Sequence, residues 1–374
     1  MIIKKVSASK IKDSRGDFTI EVGVNGCYSS SPSGKSKGKY ESKPYYKNID
    51  FCIKFLNSWK EKVEINNFED LKYVERIIRK KLGIKKAKYF GGNSLFAFES
   101  AILKALAKDK KKQLWEIINP YARKMPIPVG NAVGGGMHSS NKGKTSFQEF
   151  LIIPKRKTIS DNYRVMKDIY QKIGKAIGSK KRNDEGAWEI NFNEEKIISL
   201  ISSYNVNIGV DIAASSFYEN ARYKYKNRKI SRKEQINFIN NLIKKYGILY
   251  VEDPLHEDDF KGFSNITKDG LIIGDDLTAT NLDRIRNAVK IKSINAVIIK
   301  PNQNGSLIEV ADIIDYCRNN GIKTIFSHRS GETMDDALGD YAFGFQTDYI
   351  KTGIFGKERK VKLKRLISIE KSIN

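Results

Sequence analysis

Cysteine is scarce in this chain. Cys27, Cys52 and Cys317 are its only three among 374 residues, and they stand far apart. They form neither a metal-ligand spacing nor a disulfide framework, so a reduced, cytoplasmic protein is the expectation. Long apolar runs are missing too. No stretch approaches the ~20 apolar residues that a membrane-spanning helix needs, which excludes membrane insertion by that route. The opening "MIIKKVSASKIKDSRGD" is not expected to act as a secretory leader, because its apolar run is short and interrupted by charge. Acidic residues are the minority sign: 43 Asp and Glu face 68 Lys and Arg, a formal net charge of +25. Such a field favours anionic ligands and admits non-specific binding of nucleic acid. The lysines are nevertheless spread along the whole chain beside much Ile and Asn, as in a biased composition. The runs at 108–112 and 180–182 lack interleaved aromatics, so no platform for stacked bases is visible.

What is present divides in two. The first ~120 residues read as α+β. "FTIEVGVNG" alternates and turns at Asn25-Gly26, as a hairpin does. A Ser/Gly/Lys-rich loop follows, "SSSPSGKSKGKYES". Helical periodicity runs over residues 68–82 and stops at Gly83, and "SLFAFESAILKALA" predicts a mostly buried helix over 94–107. Residues 121–374 then alternate short apolar strands with helical patterns. Strand after strand ends on a charged residue: Asp211, Glu252, Asp275, Lys300, His328-Arg329 and Lys351, at intervals of 23 to 41 residues. Units of that length predict parallel strands joined by crossovers. A length near 250 residues fits a (β/α)8 barrel, in which all these strand ends meet at one rim. A doubly wound open sheet would not gather them, and no G-x-G-x-x-G turn appears.

Three carboxylates from three strands, Asp211, Glu252 and Asp275, are hard oxygen donors suited to Mg²⁺. Singly, an acid after a strand can cap the next helix, and Asp253 and Asp276 are candidates for that role. "INAVIIKPNQNG" ends a buried strand on Lys300 and stops it at Pro301, so the lysine is held in place. A lysine at such a rim, among other cations, is expected to have a lowered pKa and to serve as a base.

These residues resemble the enolase (phosphopyruvate hydratase) family. The likeness is carried by "KIKDSRGDFTIEV", "PSGKSKG", "GGNSLFAFESAILKALA", "GNAVGGGMH" with "QEFLIIP", "NDEGAW", "IGVDIAASSFY", "VEDPLHEDDF", "GDDLTATN", "IIKPNQNGS", "SHRSGET" and "IKTG", in family order. The resemblance implies an N-terminal capping domain with a mobile serine loop (1–120) and a (β/α)8 TIM-like catalytic barrel of the enolase type (121–374). It implies a cytoplasmic hydro-lyase of glycolysis and gluconeogenesis that interconverts 2-phosphoglycerate and phosphoenolpyruvate with two Mg²⁺ ions per site. Asp211, Glu252 and Asp275 would bind the first ion and Ser36 the second. Lys300 would take the C2 proton and Lys351 would face the substrate carboxylate. Glu185 would protonate the departing C3 hydroxyl, supported by Glu149 and His138. Arg329 and Ser330 would hold the phosphate, with His328 and Gln148 also against the substrate. A homodimer or higher homo-oligomer is implied as well.

Several places depart from the family pattern. Lys35 and Lys37 stand where Ala and Thr are usual, and the segment after them is short. The loop between His138 and Glu149 is about two residues longer. Ala187 replaces a glycine, and Trp188-Glu189 replace smaller residues. The end "RLISIEKSIN" is expected to lack the extension that supplies a partner for Arg15 across the dimer. The alternative to catalysis is a divergent relative that binds RNA or another polyanion through its basic surface. "GKS" at 34–36 lacks the earlier glycine of a phosphate-binding loop.

Overall fold

The computed structural model describes residues 1–35, 38–139 and 145–373, and only the backbone of His138. The chain opens with an antiparallel meander of β1 (Val6–Lys12), β2 (Phe18–Val24) and β3 (Cys27–Ser30). Asn25 and Gly26 both take positive φ, 49° and 81°, so the expected Asn-Gly turn joins β2 to β3 with the twist a hairpin needs. The periodic segment after residue 68 becomes the helix Leu71–Leu82. It buries Leu71, Val74 and Ile78 and ends on left-handed Gly83.

The helix Gly92–Asp109 is buried on nearly every side, because it lies between two partners. One side packs on β2 and β3, the other on residues 301–304 and the helix Leu307–Asn319. A Cβ at Gly92 would stand 2.1 Å from the Asn302 carbonyl oxygen, so the close approach depends on glycine. Glu99, fully buried in this helix, accepts a hydrogen bond from the Leu307 backbone N–H at 2.7 Å. Burial, reinforced by the neighbouring Glu75, pushes its carboxyl well above the ordinary value. A raised acid adds stability that is complete below its unfolded value, near 4.5, and is lost as pH rises through the folded one. The melting temperature should therefore fall as pH rises from about 4.5, and Glu99→Gln should flatten that fall. Parallel melting curves for the two proteins across the pH range would refute this.

The remaining strands are β4 (Ile127–Gly134), β5 (Glu149–Ile153), β6 (Trp188–Glu189) and β7 (Asn207–Asp211). A small three-stranded meander comes next, β8 (Tyr218–Glu219), β9 (Arg222–Lys224) and β10 (Lys229–Ile230). The last five are β11 (Tyr250–Glu252), β12 (Leu271–Gly274), β13 (Ala296–Ile299), β14 (Lys323–Ser327) and β15 (Tyr349–Lys351). Strands β4, β5, β7 and β11 to β15 close into an eight-stranded barrel, sealed by parallel pairing of β15 with β4. The expected run of parallel strands holds except at β5, which is antiparallel to both neighbours. No helix separates β4 from β5 among the described residues apart from one turn at Gly136–His138. A parallel crossover is usually helical, whereas an antiparallel return needs only a loop.

Candidate active site

Period-two alternation sets the site. Val129, Leu151, Ile153, Tyr250, Ile273, Ala296, Ile298 and Ile325 form one apolar cluster, the interior of the barrel. Val210, Val251, Ile272, Val297 and Phe326 belong to the larger cluster outside it. Successive side chains on a strand face opposite ways. Two residues beyond an inward residue therefore also point inward, now at the mouth. Ile298 leads to Lys300, Tyr250 to Glu252, Ile273 to Asp275 and Tyr349 to Lys351. On antiparallel β5 the start of the strand lies at this rim, and Glu149 pairs in register with Asp211.

A cavity of about 480 Å³ opens there. Every predicted site residue with a described side chain lines it except Glu252, which is fully buried against Lys351. Lys351 Nζ lies 2.7 Å from Glu149, 3.0 Å from Asp211 and 2.8 Å from Glu252, with all four side chains nearly out of solvent. Lys300 forms an ion pair with Asp275, whose other oxygen accepts from Gln303 Nε2 at 3.2 Å. Gln148 Nε2 donates to Asp211 at 3.4 Å. Tyr250 donates its phenol proton to Glu252 Oε2 at 2.7 Å from inside the barrel. Arg329 is buried and forked: one nitrogen donates to Asn302 Oδ1 at 3.2 Å, the other to Glu41 at 2.9 and 3.2 Å. The Ser330 hydroxyl accepts from Arg15 at 3.0 Å and from the Lys35 backbone N–H at 2.8 Å.

The expectation of lowered lysine pKa values is corrected. Burial pulls the Lys300 ammonium down, but contact with Asp275 outweighs it and the group rests above the usual lysine value. Burial also acts on Lys351, where Asp211, Glu149 and Glu252 overcome it and hold the charge more firmly still. The sequence placed cations near one another, whereas the fold puts carboxylates closer. Beside Lys351, Glu149 is pushed up to about 7, first by burial, against the pull of Lys351 and with Glu185 adding to the rise. Glu185 is buried and accepts from Asn131 Nδ2 at 3.2 Å. Burial, then Arg359, holds His328 neutral.

Asp211, Glu252 and Asp275 reach the same rim. They are not among the groups of three whose ligand atoms all lie within 4.8 Å of one another; Glu149/Glu185/His328 and Asp253/Asp275/Asp276 are such groups among the described residues. Lysines 300 and 351 hold the three predicted ligands by ion pairs. The donor set still fits a divalent cation. It is all carboxylate, and Glu252 Oε1 is buried with no hydrogen-bond partner among the described residues. Asp253, expected as a helix cap, instead accepts the backbone N–H groups of Asp275 (3.0 Å) and Asp276 (2.6 Å) and so fixes the next strand's end. It does this at a positive φ of 42°, one of several non-glycine residues so strained along this rim. Ser36 and the His138 side chain lie outside the described residues.

Several functional contacts were not in the sequence reading. Glu41, which occupies Arg329, has no strand-end signature. Asn302 and Gln303 were legible only as a turn. Arg15, read as a residue for a subunit partner, turns into its own chain, to Ser330, Ser33 and Asp17. The unusual Lys35 forms a half-exposed ion pair of 3.1 Å with Asp184, tying the edge of the serine loop to the acidic loop. A surface pair of this kind is worth roughly 0–1 kcal/mol.

Comparisons with known proteins agree with this geometry. The family described as "Enolase, C-terminal TIM barrel domain" matches residues 122–374. The chain is similar to a protein named "Enolase" from Picrophilus torridus, 37% identical over 401 aligned positions that cover 99% of each chain. It is also similar to "Enolase" from Thermoplasma acidophilum, 34% identical, with 99% of this chain and 98% of the relative covered. "Enolase" from Ehrlichia ruminantium is 33% identical, with 100% and 97% covered.

Proposed function

The chain belongs to the enolase family, lyases of the phosphopyruvate hydratase type, and from that premise we propose Mg²⁺-dependent, reversible dehydration of 2-phosphoglycerate to phosphoenolpyruvate. The observation that carries the reading is the set of charged groups gathered in one cavity. Two lysines, each fixed by carboxylate, stand there with two buried glutamates, Glu149 and Glu185, and Glu149 joins the two sets by its contact with Lys351.

In this reading Arg329 and Ser330 bind the phosphate, Arg329 through its planar fork of donors. Lys351 supplies a cation on the side of the cavity that takes the substrate carboxylate. Lys300 Nζ, in its neutral amine form, takes the C2 proton and becomes the ammonium that Asp275 favours, and its strand and Pro301 keep it aimed. Glu185 gives a proton to the C3 hydroxyl as the C3–O bond breaks. Glu149, raised to about 7, keeps a proton available beside Glu185 near neutral pH. Asp211, Glu252 and Asp275 would hold the first Mg²⁺ and Ser36 the second, and the ions, when bound, stabilise the dianion formed beside the carboxylate. Residues 1–120 act as a cap, since Lys35, Gly38 and Glu41 reach the cavity from that side, and residues 121–374 as the catalytic barrel. A homodimer or higher homo-oligomer is part of the proposal.

The test is direct. Purified protein with 2-phosphoglycerate should form the ultraviolet-absorbing enol phosphate when Mg²⁺ is present and stop when it is chelated. A folded protein without turnover that instead binds RNA in a salt-sensitive way would replace this reading with the polyanion alternative.

A further inference from the structure

The acidic loop holds residues that its family resemblance does not explain, and they form one assembly. Residues 182–188 make a tight hairpin. Arg182 bridges Trp188 across it, and Asn183 donates its backbone N–H to the Ala187 carbonyl at 2.9 Å. The Asn183 side chain accepts the backbone N–H groups of Glu185 (3.1 Å) and Ala187 (2.9 Å). The hairpin's tip is Asp184-Glu185-Gly186.

The Arg182 guanidinium lies between two rings, 4.0 Å from the centroid of Trp188 and 4.1 Å from that of Phe355. Its Nε donates to the Tyr170 hydroxyl at 2.8 Å, and that hydroxyl donates to the Gly186 carbonyl at 2.6 Å, one residue past Glu185. Trp188 stacks on Tyr170 at 5.0 Å and 20° and donates its indole N–H to the Tyr170 carbonyl at 2.8 Å. The helix Ile159–Ile177 makes room for this ring at Gly174, where a Cβ would come within 2.5 Å of it. Phe355 follows β15, the strand that ends on Lys351. The hairpin is thus fastened to an outer helix of the barrel and to the loop after Lys351 at once.

We propose that Arg182 is a positioning residue for Glu185, locking the acidic loop through the Trp188–Arg182–Phe355 sandwich and the Tyr170 hydroxyl. The inference rests on Glu185 being the general acid. In the dehydration, Lys300 takes the C2 proton, and the electron pair it leaves forms the C2–C3 double bond. The C3–O bond breaks with its pair on oxygen, and Glu185 supplies the proton that completes water. A displaced loop impairs only that last transfer. Proton removal at C2 depends on Lys300, on a different strand.

The experiment follows both steps in deuterated solvent with Mg²⁺ and 2-phosphoglycerate: deuterium entry at C2, and phosphoenolpyruvate formation. In Arg182→Ala, dehydration should fall about tenfold to a hundredfold while C2 exchange stays within about threefold of the unsubstituted protein. Trp188→Phe, which keeps an aromatic face for the guanidinium, should restore most of the rate lost in Trp188→Ala. Should Arg182→Ala fail to fold, Arg182→Gln carries the same two readouts. Equal loss of exchange and dehydration, or unimpaired dehydration, overturns the proposal. If the unsubstituted protein neither exchanges nor dehydrates, the enolase reading itself falls, and this inference falls with it.

Discussion

Lys300→Met should lower turnover by about a thousandfold or more, and it should abolish deuterium exchange at C2 together with dehydration. That joint loss separates Lys300 from the residues of the acidic loop, whose replacement spares exchange. The substitution keeps the length and apolar stem of the side chain, so the strand end and Pro301 are undisturbed. It removes the ammonium that pairs with Asp275. The carboxylate is not wholly abandoned, because Gln303 Nε2 still donates to it at 3.2 Å. Burial raises the Asp275 carboxyl, but Lys300 outweighs this and holds it below its ordinary value. A depressed acid contributes stability above its unfolded value, near 3.8, that is lost as pH falls through the folded one. The variant should therefore lose part of its stability at neutral pH and lose less in acid. A Lys300→Met protein that melts normally and keeps measurable C2 exchange would remove Lys300 from the role of base.

Much of this site was legible in the sequence for one geometric reason. A strand that ends on a charge after two or three apolar residues places that charge by parity. In "AVII" followed by Lys300, Ala296 and Ile298 fill the barrel, so Lys300 must enter its mouth. The same counting holds for Tyr250 and Glu252. It fails for Glu149, which begins its strand. The antiparallel course of β5 brings it to the rim from the other end. The signal was the connection itself: residues 135–148 are rich in glycine and serine and carry no apolar periodicity for the helix that a parallel return usually uses.

What the sequence did not carry was contact between distant residues. Glu41 and Arg329 are 288 positions apart and meet only when the cap lies on the barrel. Arg182 and Phe355 are likewise joined only by the closed fold. The lysine charges are the clearest case. Counting cations along the rim suggested mutual repulsion and lowered pKa values, but each ammonium is in ion-pair contact with carboxylate. Because Coulomb energy falls with distance and rises as the medium dries, the nearest group decides the sign.

Lys351→Met is expected to be the most destabilising single change in the site. Its Nζ is the shared counter-ion of Glu149, Asp211 and Glu252, all almost fully buried. Removing one partner of a buried ionic group leaves uncompensated charge, at a cost of about 3–5 kcal/mol. Burial raises all three acids, and Lys351 opposes the rise in each. Without it they move higher still. Raised acids contribute stability at low pH that is lost as pH climbs through their folded values, beginning near 4. The melting deficit of Lys351→Met should therefore widen between mildly acidic and mildly alkaline buffer. A divalent cation offers the same carboxylates another counter-charge. Saturating Mg²⁺ should raise the variant's Tm more than it raises that of the unsubstituted protein, about 3 kcal/mol of stabilisation corresponding to a hundredfold excess over Kd. A variant that melts like the unsubstituted protein in alkaline buffer, or that gains nothing from Mg²⁺, would show that these carboxylates do not depend on positive charge at this position.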